Sequence, residues 1–157
     1  MRQSILRYFI SLLLVSLCIC SATSIFIISG SMKEDSEREM MYSVKLIEYN
    51  LDYSKDLNTQ IETLNPLAFS DDTRISVIDE KGKVLADTYK KDISSNHLKR
   101  EEVQQALHSS NHEGYAMRRS ETTNQPLLYA AYYKDNHIIR LSIPYSGVWG
   151  YFPELAP

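Results

Sequence analysis

The sequence predicts an α+β protein: one apolar N-terminal helix, a long helix, then a five-stranded antiparallel sheet with a short helix inserted. Three observations predict it. Residues 8–32 carry no charge and are mostly apolar. Apolar residues then recur at spacings of three and four through residue 64, the period of a helix. From residue 75 onward the pattern shifts to short segments with a period of two, separated by turn residues. Runs of helix followed by runs of strand mark an α+β layout.

The apolar run comes first. At 1.5 Å per residue, residues 9–28 cover about 30 Å, the hydrocarbon thickness of a bilayer. Arg2 and Arg7 precede the run, and Glu34, Asp35, Glu37 and Glu39 follow it. Basic residues stay in the cytoplasm, so the expected orientation is N-terminus inside and the remainder outside, a single-pass protein of the cell membrane. A cleaved signal peptide is the alternative, with Cys20 and Ala22 as small residues near a cleavage point. Apolar character resumes at Ile25-Phe26-Ile27-Ile28, however, longer than a signal peptide's apolar region. Leu17 and Ile19 precede the two cysteines, where a lipoprotein signal needs a small residue. A retained anchor is expected.

Composition narrows the class. About 125 residues remain outside the span, enough for one domain with a real core. The chain has 17 basic and 20 acidic residues; without Arg2 and Arg7 the outer balance is 15 to 20, a net charge of −5. No basic patch stands out, so nucleic acid is not an expected partner. Cys18 and Cys20 both lie within the span, so the outer domain must be stabilised by packing rather than disulfides.

Ser29-Gly30-Ser31 reads as a short joint, and Ser36-x-x-Glu39 as a capping box opening a new helix. Met40, Val44, Ile47 and Leu51, then Leu57, Ile61 and Leu64, form its stripe, with one register skip before Leu57. Pro66 sets its expected end at Asn65. Such a helix, about 45 Å long, exceeds what so small a domain can cover. Its stripe can lie across a sheet, and its first half can also pair with a second copy through Met40, Val44, Ile47 and Leu51. Residues 75–79 and 83–87 read as a hairpin with Gly82 supplying a positive φ. Residues 89–99 form a polar connection, and 100–108 a short helix with Val103, Ala106 and Leu107 on one face. Strands follow at 114–119, 127–133 and 138–143, joined by turns at 121–125 and 134–136. In the last, Ile139, Leu141 and Ile143 alternate with Ile138, Arg140 and Ser142, which predicts one buried face.

The hairpin Ile75-Ser76-Val77-Ile78-Asp79-Glu80-Lys81-Gly82-Lys83-Val84-Leu85-Ala86-Asp87 resembles the opening of an extracellular PAS-like (Cache-type) sensor domain. Asn96-His97-Leu98-Lys99-Arg100-Glu101-Glu102-Val103-Gln104-Gln105-Ala106-Leu107 is similar to the following segment in bacterial membrane sensor histidine kinases of the phosphate-regulation type. Leu127-Leu128-Tyr129-Ala130-Ala131 and Ile139-Arg140-Leu141-Ser142-Ile143-Pro144 fit the same family. The resemblance implies a cytoplasmic N-terminus at 1–7, a transmembrane helix at 8–29 and a linking and dimerisation helix at 30–66. A PAS-like sensor domain at 67–144 and an aromatic juxtamembrane tail at 145–157, with Tyr145, Trp149, Tyr151 and Phe152, complete it. Relatives continue into a second span and a kinase core, neither of which is in this sequence. The expected role is the sensor region of a two-component signalling kinase, as a fragment or truncation. The alternatives are a stand-alone tethered regulator that forms mixed dimers with an intact kinase, or the sensor region of a chemoreceptor or other transmembrane signalling protein.

No catalytic constellation is expected, and no cofactor. Gly30, Gly82, Gly114, Gly147 and Gly150 are too scattered to cradle phosphates. His108 and His112 have a helical metal-pair spacing, but Ser109-Ser110-Asn111 between them reads as a helix end and the ligand set is incomplete. Asp79 and Asp87 read as turn-capping residues, and His97 as a polar anchor. A ligand pocket is the remaining chemistry. Related folds bind ligands between the sheet and the connection that is 89–99 here. Arg118, Tyr129, Tyr132 and Arg140 lie on strands that can face such a pocket, and Arg with Tyr suits a carboxylate or phosphate. The alternative is that the arginines are surface charges and the tyrosines core or rim. The signal is a small molecule or a partner protein.

Overall fold

The computed structural model describes residues 2–68, 72–89, 96–119 and 125–147. Trp149, Tyr151 and Phe152 of the aromatic tail, most of the 89–99 connection and most of the 121–125 turn lie outside them. The elements are α1 (Arg2–Asn50), α2 (Leu57–Leu64), a 3₁₀ turn (Asn65–Leu67), β1 (Arg74–Asp79), β2 (Val84–Asp87), α3 (Glu101–His108), β3 (Glu113–Arg119), β4 (Pro126–Lys134) and β5 (His137–Pro144). All strand pairs are antiparallel, in the order β2-β1-β5-β4-β3. This is the α+β, PAS-like architecture expected.

The apolar run lies on α1, where an 18-residue window has a mean hydropathy of 2.4 and none of it is buried. Residues up to Glu34 belong to one compact unit and Asp35–Ser146 to another. The expected joint and capping box are not helix ends: Ser29-Gly30-Ser31 and Ser36 lie within α1. A lone glycine costs a helix only about 1 kcal/mol, and no proline interrupts this stretch.

The second difference is at the other end of the stripe. The helix expected to reach Asn65 stops at Asn50, and α2 starts afresh at Leu57. Short polar side chains compete for the backbone here. Asn50 Nδ2 donates to the Leu46 carbonyl (2.8 Å), and the Asp52 carboxylate accepts from Ser54 N (3.0 Å) and Ser54 Oγ (2.6 Å). Asp56 then caps α2 by accepting from Thr59 N at 2.9 Å. Gln60 ties the break together, accepting from Asp52 N and donating to Asp52 O, both at 2.8 Å. The register skip before Leu57 is this break.

The sheet has two buried faces. On one, Met40, Met41, Val44 and Ile47 of α1 and Ile61 of α2 pack against Ile75, Val77, Leu128, Ala130, Ile139, Leu141 and Ile143. On the other, Val103 and Ala106 of α3 pack against Ile78, Val84, Ala131 and Ile138. β5 is therefore buried on both sides from Ile138 to Ile143, which corrects the single buried face expected of it. It is the central strand, and each face has its own helix layer.

Turns follow local chemistry. Gly82 has φ 82° in the β1–β2 turn, as expected, while Asp79 Oδ1 accepts from Lys81 N and Lys83 N at 2.9 and 2.8 Å. Asp135 and Asn136 take φ of 49° and 66°, the two-residue turn that suits tight hairpins. Gly114 serves a different need. A Cβ there would collide with the Glu102 carbonyl and lie 2.7 Å from Ala106 N, so its lack of a side chain lets α3 sit flat on β3. Gly114→Ala is expected to cost about 1–3 kcal/mol, as overpacking against rigid backbone does, with the loss seen as a lower urea midpoint.

Candidate functional site

The α3 face of the sheet carries a polar cluster beside its apolar patch. Period-two alternation places Ser76, Arg140 and Tyr129 on neighbouring strands, pointing the same way as Ile78 and Ile138. Arg118 joins from β3, Arg74 and Asp87 from β1 and β2, and Glu102 from the first turn of α3. Glu102 is 0% exposed and Arg140 3%. Ion pairing makes this burial tolerable: Arg118 grips Glu102 in a two-pronged contact, Nη1 to Oε2 at 2.6 Å and Nη2 to Oε1 at 3.0 Å. Arg140 Nη1 lies 3.6 Å from Glu102 Oε1, and Arg140 Nη2 donates to Ser76 Oγ at 3.0 Å. Ser76 Oγ in turn donates to Asp87 Oδ2 at 2.8 Å, and Arg74 clasps Asp87 through Nε and Nη2 at 2.9–3.1 Å. The Tyr129 ring lies 3.6 Å beneath the Arg118 guanidinium carbon and 5.7 Å from that of Arg140.

Among the described residues the charges of the cluster do not balance. Three guanidinium groups meet two carboxylates, and Arg140 Nε is buried with no hydrogen-bond partner among the described residues. Burial works to raise the Glu102 carboxyl, and its Arg118 hydrogen bonds overcome this, leaving it below the usual range. Burial draws the Arg140 guanidinium down to about 10, with Glu102 opposing and Arg74 adding to the fall.

His97 stands beside this cluster, its backbone N–H donating to Gly82 O at 2.7 Å. Burial pushes its imidazole from 6.5 down to about 4, helped by Arg140, Arg100 and Arg74 and opposed by Asp87. The unfolded chain takes up this proton near 6.5, whereas the folded chain does so only near 4. Stability contributed by neutral His97 is therefore complete above the upper value and lost as pH falls to the lower one. His97→Asn should flatten the dependence of Tm on pH across that window; an unaltered slope would assign the acid loss elsewhere.

Three of the four residues expected at a ligand site converge: Arg118, Tyr129 and Arg140. Tyr132 does not. It packs with the α1 face, its ring 5.2 Å from Lys45 Nζ, because even-numbered β4 positions point to that side. Arg140 is no surface charge. Asp87 is more than a turn cap: it accepts from Tyr89 N at 2.9 Å as a cap would, but is buried and anchors Arg74 and Ser76. Sequence reasoning missed Glu102 altogether. Its signal was a carboxylate on the same helical stripe as Ala106, where an apolar residue belongs. His108 Nδ1 lies 2.8 Å from the Gln104 carbonyl, and His112 sits edge-on to Tyr133.

Met40, Val44 and Ile47, expected either on a sheet or also on a dimer seam, take the first of these places in this chain. They are buried against the chain's own sheet, and Leu51 packs against the same core. An amphipathic helix has one apolar stripe, and the sheet occupies it.

No protein-family model and no curated protein matches the sequence. Solved structures do share the fold. The Bacillus subtilis YkuI protein, which has an EAL domain, matches with a TM-score of 0.55 at 16% identity, over 85% of this chain and 37% of that one. The ligand-binding domain of the Campylobacter jejuni chemoreceptor Tlp3, in complex with 4-methylisoleucine, gives 0.53 at 19%, over 78% and 56%. A methyl-accepting chemotaxis protein from Vibrio parahaemolyticus gives 0.53 at 16%, over 77% and 96%. The chain thus spans about a third to a little over half of the first two.

Proposed function

We propose that this chain is the extracytoplasmic sensor module of a transmembrane signalling protein, with its N-terminus in the cytoplasm and the sheet domain outside. The observation that carries the reading is the buried arginine cluster, with its unmet donor, on a PAS-like sheet behind an apolar N-terminal helix. Chemoreceptor domains that share the fold support it, and the Tlp3 domain is one with a small ligand bound. A sensor histidine kinase of the phosphate-regulation type is the output that the hairpin and the 96–107 segment favour. The test is a chimaera joining this chain to a kinase core with a measurable reporter. Arg118→Ala should change the reporter at least several-fold, while Lys55→Ala, on an exposed loop, should not. A reporter indifferent to both, with the domain folded, would defeat the reading.

Pairing with a second copy, or with an intact kinase, belongs to the same proposal, moved to another helix face. Tyr42 and Tyr49 are 72% and 82% exposed, seven residues apart, with half-buried Leu46 between them. That spacing suits a parallel two-helix seam. Cysteines at Tyr42 or Tyr49 should crosslink in membranes, and one at Val44 should not. Crosslinking at Val44 alone would return the seam to the stripe.

A further inference from the structure

We propose that Glu102 holds the place of a ligand carboxylate, and that a small monocarboxylate binds by displacing it from Arg118 and Arg140, freeing the first turn of α3. This rests on the sensor reading and deepens it by naming the ligand class and the competing group. Three observations carry it. The fork between Arg118 and Glu102 is already shaped for a carboxylate, with both oxygens engaged at 2.6 and 3.0 Å. Arg140 holds the same carboxylate at a looser 3.6 Å and keeps a buried Nε donor unused. The Arg118 side chain is 27% exposed, so one member of the fork is open to solvent while Glu102 beneath it is not.

The exchange is reasonable electrostatically. An incoming carboxylate replaces the lost ion pair and can add the Nε hydrogen bond, while Glu102 leaves burial for water. The surplus of one positive charge among the described residues of the cluster favours an anion over a neutral or cationic ligand. Tyr129 is buried and stacks beneath the Arg118 guanidinium, which holds the fork in place. Glu102 sits in an eight-residue helix whose Val103 and Ala106 form its buried apolar contact with the sheet. Losing the ion pair therefore loosens the first turn before the rest, which turns occupancy into motion of one element.

The experiment uses the full chain in lipid nanodiscs, titrated with sodium acetate against sodium chloride at matched ionic strength. Amide hydrogen exchange is followed in α3 and in β4–β5. In the wild type, acetate should speed exchange in α3 saturably and leave β4–β5 unchanged, with chloride inert. Glu102→Gln, which keeps the shape and removes the competing charge, should bind acetate about tenfold tighter or more, since a closed latch lowers apparent affinity by the fraction of time it is open. Arg118→Ala should abolish the response. Slower or unaltered α3 exchange in the wild type overturns the proposal, as does an equal effect of chloride or equal acetate affinity in the Gln variant. Should that variant fail to fold, the wild-type arm decides alone. The chimaera reports separately: a reporter sensitive to Arg118→Ala beside acetate-blind exchange would sink the displacement and leave the sensor reading standing.

Discussion

Glu102→Ala should lower stability by about 3–5 kcal/mol, the usual loss when one partner of a buried ion pair is removed. Most of that loss comes from what stays behind. Arg118 and Arg140 would be held in a largely buried site with Asp87 as the remaining carboxylate among the described residues, already engaged by Arg74 and Ser76. Glu101→Ala, one residue earlier and exposed, should stay within about 0.5 kcal/mol of wild type. Urea unfolding followed by circular dichroism measures both. The Glu102 contribution is also pH-dependent in a known sense. Its folded carboxyl titrates below the unfolded one, so its stabilisation is present above the unfolded value and fades as pH falls through the folded one. Equal losses at Glu101 and Glu102 would show that the fork contributes no more than a surface pair.

Val44→Glu should prevent the domain from folding. Val44 is fully buried between α1 and the sheet, and the carboxylate would enter the apolar core of Ile75, Val77, Ile139 and Leu141. An ionised group without a partner costs far more there than a domain's stability of about 5–15 kcal/mol tolerates in combination with the lost packing. The expected result is loss of cooperative unfolding and susceptibility to protease. Tyr49→Glu, five residues on and solvent-exposed, should fold normally. The pair discriminates between two uses of one helix. If Val44→Glu folded and only weakened association between copies, the stripe would be an interface and not core.

Local chemistry made most of this fold legible in the sequence. Period-two alternation marked all five strands to within two residues at each end, and Gly82 marked the first hairpin. The helical stripe marked the apolar faces of α1 and α2 but reads as one helix to Asn65; the break after Asn50 came with the structure, through Asp52, Asp56 and Gln60. The uncharged run on α1 needed only hydropathy and length. These are properties of a segment and its neighbours in the chain, and no folded partner is required to read them.

The tertiary structure decided which side each pattern faces. One apolar stripe on α1 serves a sheet and a second copy equally well on paper; contact with Leu128 and Ile139 assigns it to the sheet. Arg140 alternates with Ile139 and Leu141 as a solvent-facing residue would, until α3 covers that face. Tyr129 and Tyr132 look alike in sequence, and being three apart puts them on opposite sides. Glu102 and Arg118 are 16 residues apart, and Arg140 and Ser76 are 64 apart. No local pattern joins such pairs, because their attraction acts through the low-dielectric space that the folded sheet and α3 create between them.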